Sequence, residues 1–180
     1  MSRPPVPGLG RREARERAVQ LVYEAEQRDL RAEPLIDEQF VVPDAYTAVL
    51  VRGTERHRAR IDGLITKFAT GWPLSRMPAL DRAVLRIAVY ELGHEPEVPT
   101  AVILNEAVEF ANSYSTDDSG RFINGVLASV AVEVRPDDGP VSASSELLAN
   151  TSVEVVELGE MTDAPVAPSA AEQGAVDGGA

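Results

Sequence analysis

Residues 80–92 constrain the fold of this chain more than any other segment. They read LDRAVLRIAVYEL, and most of the positions are Ala, Val, Leu or Ile. A helix that carries apolar side chains on nearly every side cannot lie on a surface and belongs at the centre of a helical bundle. The sequence therefore predicts a buried central helix that other helices surround.

Helical periodicity also marks the segments on both sides of this stretch. Apolar side chains recur at 3.6-residue spacing, which predicts helices over residues 11–30, 44–52 and 60–67 and a further helix with Pro99 in its first turn and an apolar stripe from Val102 to Ala111. A last helix is predicted to follow a cap at Asp117 or Asp118. The segment with Leu35, Ile36 and Phe40 is predicted to be a loop whose apolar side chains pack against the core. No convincing strand pattern of period two precedes Pro136. We therefore predict an all-α fold, a compact helical bundle of about seven helices.

Composition divides the chain into three segments. Residues 1–10 are rich in Pro and Gly and are predicted to be disordered. Residues 11–135 carry the helical periodicity and form the predicted domain. Residues 136–180 contain nine of the 29 Asp and Glu and none of the 17 Lys and Arg, so they supply most of the net charge of -12. We predict a disordered acidic tail there, because it is rich in Ser, Ala, Pro and Gly.

Several classes of protein are disfavoured by what the chain lacks. It has no cysteine, which excludes disulfides, thiolate zinc sites and cysteine nucleophiles. It has neither an apolar run of about 18 residues nor a signal-peptide pattern, so we expect a cytoplasmic protein. His57 and His94 are distant in sequence and have no companion ligands, so no metal site is predicted. Without a Gly-rich nucleotide loop or a catalytic constellation, we expect neither a cofactor nor enzymatic activity.

The first predicted helix begins with an arginine-rich head, residues 11–23, which read RREARERAVQLVY. On a helical wheel Arg12 and Tyr23 share an exposed stripe, and Arg15 lies between that stripe and the apolar face. Arg11 precedes the first full turn. Guanidinium groups bind phosphates and an aromatic ring stacks on an unpaired base, so the head is typical of single-stranded RNA binding. A solvated helix start with Arg–Glu pairs explains the same pattern without a ligand.

A second arginine cluster has the spacing of one helix face. Arg52, Arg56 and Arg60 are separated by four residues each, with His57 and Arg58 beside them. A solvated helix face is the favoured interpretation. The alternative is that the cluster extends a track for phosphates if it lies beside the arginine-rich head.

Four segments together resemble a known family. They are the arginine-rich head, residues 80–92, VPTAVILNEAVEFANSYS (residues 98–115) and DDSGRFINGVLASVA (residues 117–131). In this order and spacing they resemble the bacterial transcription antitermination factor NusB, across about residues 11–135. The arginine usage and the acidic tail are closest in style to actinobacterial members.

The resemblance implies a fold of two three-helix sub-bundles without enzymatic activity. It implies binding of the boxA element of nascent RNA together with NusE, a small-subunit ribosomal protein. The pair is then expected to help the RNA polymerase elongation complex resist termination, notably on ribosomal RNA operons.

The resemblance also assigns residues by their match to the family's motifs. The RNA-binding residues that it implies are Arg11, Arg12, Arg15, Tyr23, Asp118 and Ser119. The residues that it places on the surface facing NusE are Asp81, Arg86, Glu91 and Phe122. The helical wheel supports Phe122 independently, because it lies about 100° away from the apolar residue Ile123. Glu13 departs from the family, since it interrupts the arginine run and weakens the positive head.

One other interpretation stays open, and a second is disfavoured. A homodimeric RNA-binding or assembly module in ribosomal RNA maturation would present the same helical surface to a second copy. A fragment of a ribosomal RNA methyltransferase with a NusB-like N-terminal domain is disfavoured, because the chain contains no Gly-rich cofactor loop.

Overall fold

The computed structural model describes residues 10–138. Over that range the chain forms seven α-helices: α1 (Arg11–Gln27), α2 (Ala32–Glu38), α3 (Ala45–Arg56), α4 (Arg58–Phe68), α5 (Ala79–His94), α6 (Thr100–Tyr114) and α7 (Ser119–Val134). Two short 3-10 turns, Leu74–Arg76 and Pro136–Asp138, accompany them. No strand occurs between residues 10 and 138, so the predicted all-α fold is confirmed.

Six of the seven helices form two groups of three, and the groups contact each other through α5. In the first group α1, α2 and α3 pack on one another, and in the second α5, α6 and α7 do so. Helix α5 also contacts α1, α3 and α4, while α4 bridges α5 and α7. The predicted compact bundle with two three-helix sub-bundles is therefore what the chain forms, and α5 of the second sub-bundle packs against the first.

Helix α5 is buried along most of its length, as its sequence predicts. The apolar residues Ala83, Val84, Leu85, Ile87, Ala88, Val89 and Leu92 are each at most 3 % exposed. Burying a Leu, Ile or Val side chain stabilises a fold by about 1.5–3 kcal/mol, so this one helix supplies a large share of the apolar stabilisation.

The connection between the first and third predicted helices differs from expectation. Leu35 and Ile36 are buried, but they belong to the short helix α2 rather than to a loop. Phe40 is 93 % exposed, so the prediction that it packs against the core is wrong. The reason is geometric: α2 ends at Glu38, and the chain beyond it runs over the surface before Asp44 caps α3 by accepting a hydrogen bond from the Tyr46 amide at 2.8 Å.

The folded domain extends slightly beyond its predicted end. Residues 136–138 form a 3-10 turn in which Asp138 accepts a hydrogen bond from the Thr100 hydroxyl at 2.5 Å. The Arg135 guanidinium donates hydrogen bonds to the backbone carbonyls of Glu91, Leu92, Glu95 and Val98 at 2.7–3.0 Å. The predictions of disorder for residues 1–9 and 139–180 lie outside the described residues. None of the helices described is both long and apolar enough to cross a membrane.

Candidate nucleic-acid interface

The start of α1 presents Arg12 to solvent, but acidic side chains surround its guanidinium group. The side chain is 55 % exposed, and its Nη1 atom lies 2.8 Å from a carboxylate oxygen of Glu109 in α6. Its Nε atom lies 3.8 Å from Glu106 and 3.5 Å from Glu16. The charge of Glu106 and the hydrogen bond to Glu109 raise the pKa of Arg12. Any phosphate that binds Arg12 must therefore compete with these carboxylates.

Two neighbouring residues define how the head is built. Arg11 is exposed, and its guanidinium carbon lies 5.1 Å from the centre of the Tyr46 ring, a cation–π distance. Glu13, which interrupts the arginine run, accepts a hydrogen bond from the Gly10 amide at 3.0 Å. Glu13 thus satisfies a backbone donor at the start of the helix and places an acidic group there, which the helix dipole favours.

Arg15 lies inside the protein rather than at the edge of the exposed stripe. Its residue is 8 % exposed, and its Nε atom lies 2.9 Å from both carboxylate oxygens of Glu91. Burial by itself lowers the pKa of Arg15, but the hydrogen bond and charge of Glu91 outweigh it and raise the pKa. The Tyr46 hydroxyl donates to the same carboxylate at 2.5 Å, and burial followed by that hydrogen bond raises the pKa of Tyr46. Arg15 therefore ties α1 to α5 and α3.

The other residues predicted to bind RNA differ in accessibility. Tyr23 is 38 % exposed, and Asp118 is exposed at the N-cap position of α7, where its side chain makes no capping bond. Ser119 is buried, and its hydroxyl donates to Asp81 at 2.8 Å. Ser115 donates to the other oxygen of the same carboxylate at 2.5 Å.

Three of the four residues predicted to face a protein partner are internal. Asp81 and Glu91 are 1 % exposed and Arg86 is 4 % exposed. Arg86 binds both carboxylate oxygens of Asp62, at 2.7 and 3.0 Å, and reaches Glu26 at 3.1 Å. The expectation that these three side chains lie on the surface is therefore corrected: each is buried and holds α5 against a neighbouring helix.

Phe122 differs from those three residues. It is partly buried, and its ring centre lies 5.0 Å from that of Trp72, which is 40 % exposed. The two rings form an aromatic pair at the outer side of α7. Large aromatic groups with this kind of partial exposure are typical anchors of protein interfaces.

A groove runs between α1, α5 and α6 next to the arginine-rich head. Its floor is apolar, and Arg12, Glu16 and Glu106 are among the residues that line it. Phe110 also lines it, and its ring centre lies 4.8 Å from that of Tyr114, which is 63 % exposed. Apolar surface and guanidinium groups are thus combined on one side of the domain.

Three contacts of the structure were not predicted from the sequence: those of Arg12 with its acidic partners, that of Tyr46 with Glu91, and the ring stack between His57 and His94. These contacts join helices that are far apart along the chain, and no spacing rule within one helix reveals them. The described part of the chain contains no cluster of three or more His, Cys, Asp or Glu side chains that could hold a metal ion.

Comparison with known proteins decides the family. The model of the NusB family matches residues 12–132. The chain belongs to the NusB family. The fold agrees with that of NusB from T. maritima, which shares 32 % identity over 73 % of this chain and 98 % of its own length, with a TM-score of 0.67.

Two further solved structures show the same NusB-type fold. One, described as antitermination factors NusB and NusE in complex with dsRNA, has 25 % identity over 68 % of this chain and 96 % of the matched chain, with a TM-score of 0.61. The other is NusB from Aquifex aeolicus in solution, at 27 % identity over 69 % of this chain and 88 % of its own, with a TM-score of 0.59.

Proposed function

We propose that this NusB-family protein is a transcription antitermination factor that binds boxA-type single-stranded RNA of nascent ribosomal RNA transcripts together with NusE. In this role it helps the RNA polymerase elongation complex in the cytoplasm to resist termination, without enzymatic activity or a cofactor. The observation that carries the proposal is the arginine-rich head at the start of α1, in a chain of the NusB family.

The accessible residues of the head suit RNA more than they suit a protein partner. Arg11 and Arg12 are exposed guanidinium groups, which bind phosphates, and Tyr23 adds a half-exposed ring. In our proposal Arg11, Arg12, Tyr23 and Asp118 contact RNA. Arg15 and Ser119, which are buried, position the elements that carry these residues.

NusE is the protein partner in this proposal because a solved structure similar to this chain contains NusB and NusE with dsRNA. We place NusE on the aromatic pair of Phe122 and Trp72. The buried residues Asp81, Arg86 and Glu91 act on this surface indirectly, because they hold α5, which packs against the helix α7 that carries Phe122. Self-association of the free protein through a helical surface stays a prediction, and sedimentation at micromolar concentration tests it.

Titration of a labelled boxA RNA, with and without NusE and at several salt concentrations, tests RNA binding. We expect Arg12→Ala to weaken binding and to lower the salt dependence of log K by about 0.7 for each phosphate contact that is lost. Arg28→Ala is the matched control: it makes the same charge change near the other end of α1, where Arg28 pairs with Glu24 at 2.8 Å. Equal effects of the two variants would contradict a role for the arginine-rich head.

The partner surface has a separate test. Phe122→Ala should weaken binding of NusE, measured by titration calorimetry, while leaving binding of RNA by the free protein unchanged. A variant that binds NusE as tightly as the wild type would place NusE elsewhere on the domain.

A further inference from the structure

A stack of three aromatic rings extends from the buried Tyr90 to the surface where α3 meets α4 and the end of α5. The ring centres of His57 and His94 are 4.1 Å apart, and those of His94 and Tyr90 are 5.0 Å apart. The planes within each pair differ by only 27° and 24°, so the rings are stacked. His94 is exposed, which leaves one member of the stack open to solvent.

The close packing of α3 against α5 fixes the position of the stack. Gly53 in α3 lies against the ring of Tyr90, where a Cβ atom would overlap the ring. Because glycine has no side chain, α3 and α5 approach closely enough for His57 to reach His94. The three rings therefore form a built platform on two packed helices.

Two arginines flank this platform without acidic partners. Within residues 10–138, Arg56 and Arg60 form no ion pair, although both are exposed. Their neighbours do: Arg52 pairs with Glu33 at 3.4 Å, and Arg58 pairs with Asp62 at 3.8 Å.

The charges of the two arginines act on the rings of the stack. The charge of Arg56 acts on Tyr90, and that of Arg60 acts on His94. Burial and the carboxylate of Glu95 raise the pKa of Tyr90, so Glu95 is an acidic group that acts on the stack.

We propose that the ring stack of His57, His94 and Tyr90, with Arg56 and Arg60, is a second contact site for single-stranded RNA, which binds the segment next to the one held by the arginine-rich head. One base stacks on His94, and the two arginines bind the flanking phosphates. Stacked rings beside unpaired guanidinium groups are the combination that binding sites for single-stranded nucleic acid use. The inference rests on the proposed function, because it extends that RNA site.

The two sites are connected through α3 and α5. Arg11 lies over the Tyr46 ring at the start of α3, and His57 follows the end of that helix. At 1.5 Å per residue, the helix separates them by about 16 Å, which a few nucleotides of extended RNA span. Tyr46 also hydrogen bonds Glu91, which lies one turn before His94 and Glu95 on α5.

The experiment compares two RNAs on the full chain by fluorescence anisotropy. One is a boxA-type RNA, and the other is the same RNA extended by about six unpaired nucleotides at each end. Arg56→Gln/Arg60→Gln should leave the short RNA unaffected, while weakening the extended RNA and lowering its salt slope by about 1.4, or about 0.7 for each phosphate. The control Arg52→Gln/Arg58→Gln makes the same charge change at paired arginines and should have little effect.

Stacking is tested at the exposed ring. His94→Ala should weaken the extended RNA by about 5- to 150-fold without changing the salt slope, whereas His94→Phe should restore binding. The inference is overturned if the extended RNA binds Arg56→Gln/Arg60→Gln as it binds the wild type, or if both double variants weaken binding equally. If the proposed function itself were wrong, the wild type would bind neither RNA, so that outcome is distinct from the two just described.

Discussion

The buried contact of Arg15 with Glu91 allows the most informative single perturbation of this domain. Glu91 is 1 % exposed and accepts hydrogen bonds from Arg15 and from Tyr46. Glu91→Ala removes the acceptor and leaves the Arg15 guanidinium buried without its countercharge. Breaking one side of a buried ion pair costs about 3–5 kcal/mol, so the free energy of unfolding should fall by that amount. The melting temperature of a domain of this size should fall by about 10–20 °C.

We expect that a stable core does not require the ion pair itself, and a compensated variant tests this. Arg15→Met/Glu91→Leu/Tyr46→Phe replaces both charges and the dependent hydroxyl with apolar groups of similar size. Such replacements are often neutral or stabilising, so its stability should lie within about 1 kcal/mol of the wild type. Urea denaturation followed by circular dichroism measures all variants, with Glu109→Ala as an exposed control in the same buffer.

The compensated variant also decides what Arg15 does for RNA binding. If Arg15 acts by positioning α1, the folded triple variant should bind RNA about as well as the wild type. A loss of RNA affinity as large as that of Arg12→Ala, in a variant that remains folded, would show that Arg15 contacts RNA directly. A Glu91→Ala variant no less stable than the Glu109→Ala control would refute the energetic argument.

Four other variants test separate features of the domain. Gly53→Ala pushes a Cβ atom into the Tyr90 ring and should destabilise the fold by about 1–3 kcal/mol in denaturation, whereas Gly63→Ala, which meets open space in α4, should stabilise it by up to about 1 kcal/mol. Burial, His57 and Arg60 lower the pKa of His94, so the stability that this group contributes is present above pH 6.5 and is lost as the pH falls through its folded pKa. The urea midpoint of the wild type should therefore fall over that pH window, and His94→Gln should make the midpoint less dependent on pH there. Glu109→Gln should strengthen RNA binding a few-fold at low salt, since it removes a carboxylate that competes for the arginine-rich head; no gain in a filter-binding titration would contradict that competition.

The fold could be predicted from sequence because its signals are local. Apolar spacing within single helices marks the α-helical segments, and the apolar run of α5 marks the centre of the bundle. The prediction failed at α2 and Phe40, where the helix has only seven residues. Such a short segment gives too few turns for a periodic pattern to stand out from a loop.

The candidate site was less predictable because a charged side chain either is available to a ligand at the surface or holds two helices together inside the protein. Arg12 and Arg15 are three residues apart, yet one is exposed and the other is bound to a buried carboxylate. A helical wheel gives their directions but not the partner across the helix interface. The same holds for Asp81 and Arg86, whose partners lie on other helices or in the connection after α6. Only the tertiary structure separates a charge that is available to a ligand from one that holds two helices together.

The Arg135 side chain connects the end of the folded chain to the end of α5, although the two are far apart in sequence. A single guanidinium near the end of the folded chain satisfies backbone carbonyls at the C-terminus of α5 and in the turn that follows it. Helix C-termini leave such acceptors unpaired unless another group supplies donors. The carbonyls of Glu91 and Glu95 also accept hydrogen bonds from the backbone amides of Glu95 and Val98, but the donors of Arg135 reach this region only when α7 has docked. Folding of α5 and α7 is therefore coupled across a long stretch of chain. A protein shortened to residue 138 keeps the hydrogen bonds of Arg135, whereas one that ends at residue 134 lacks Arg135 and loses them.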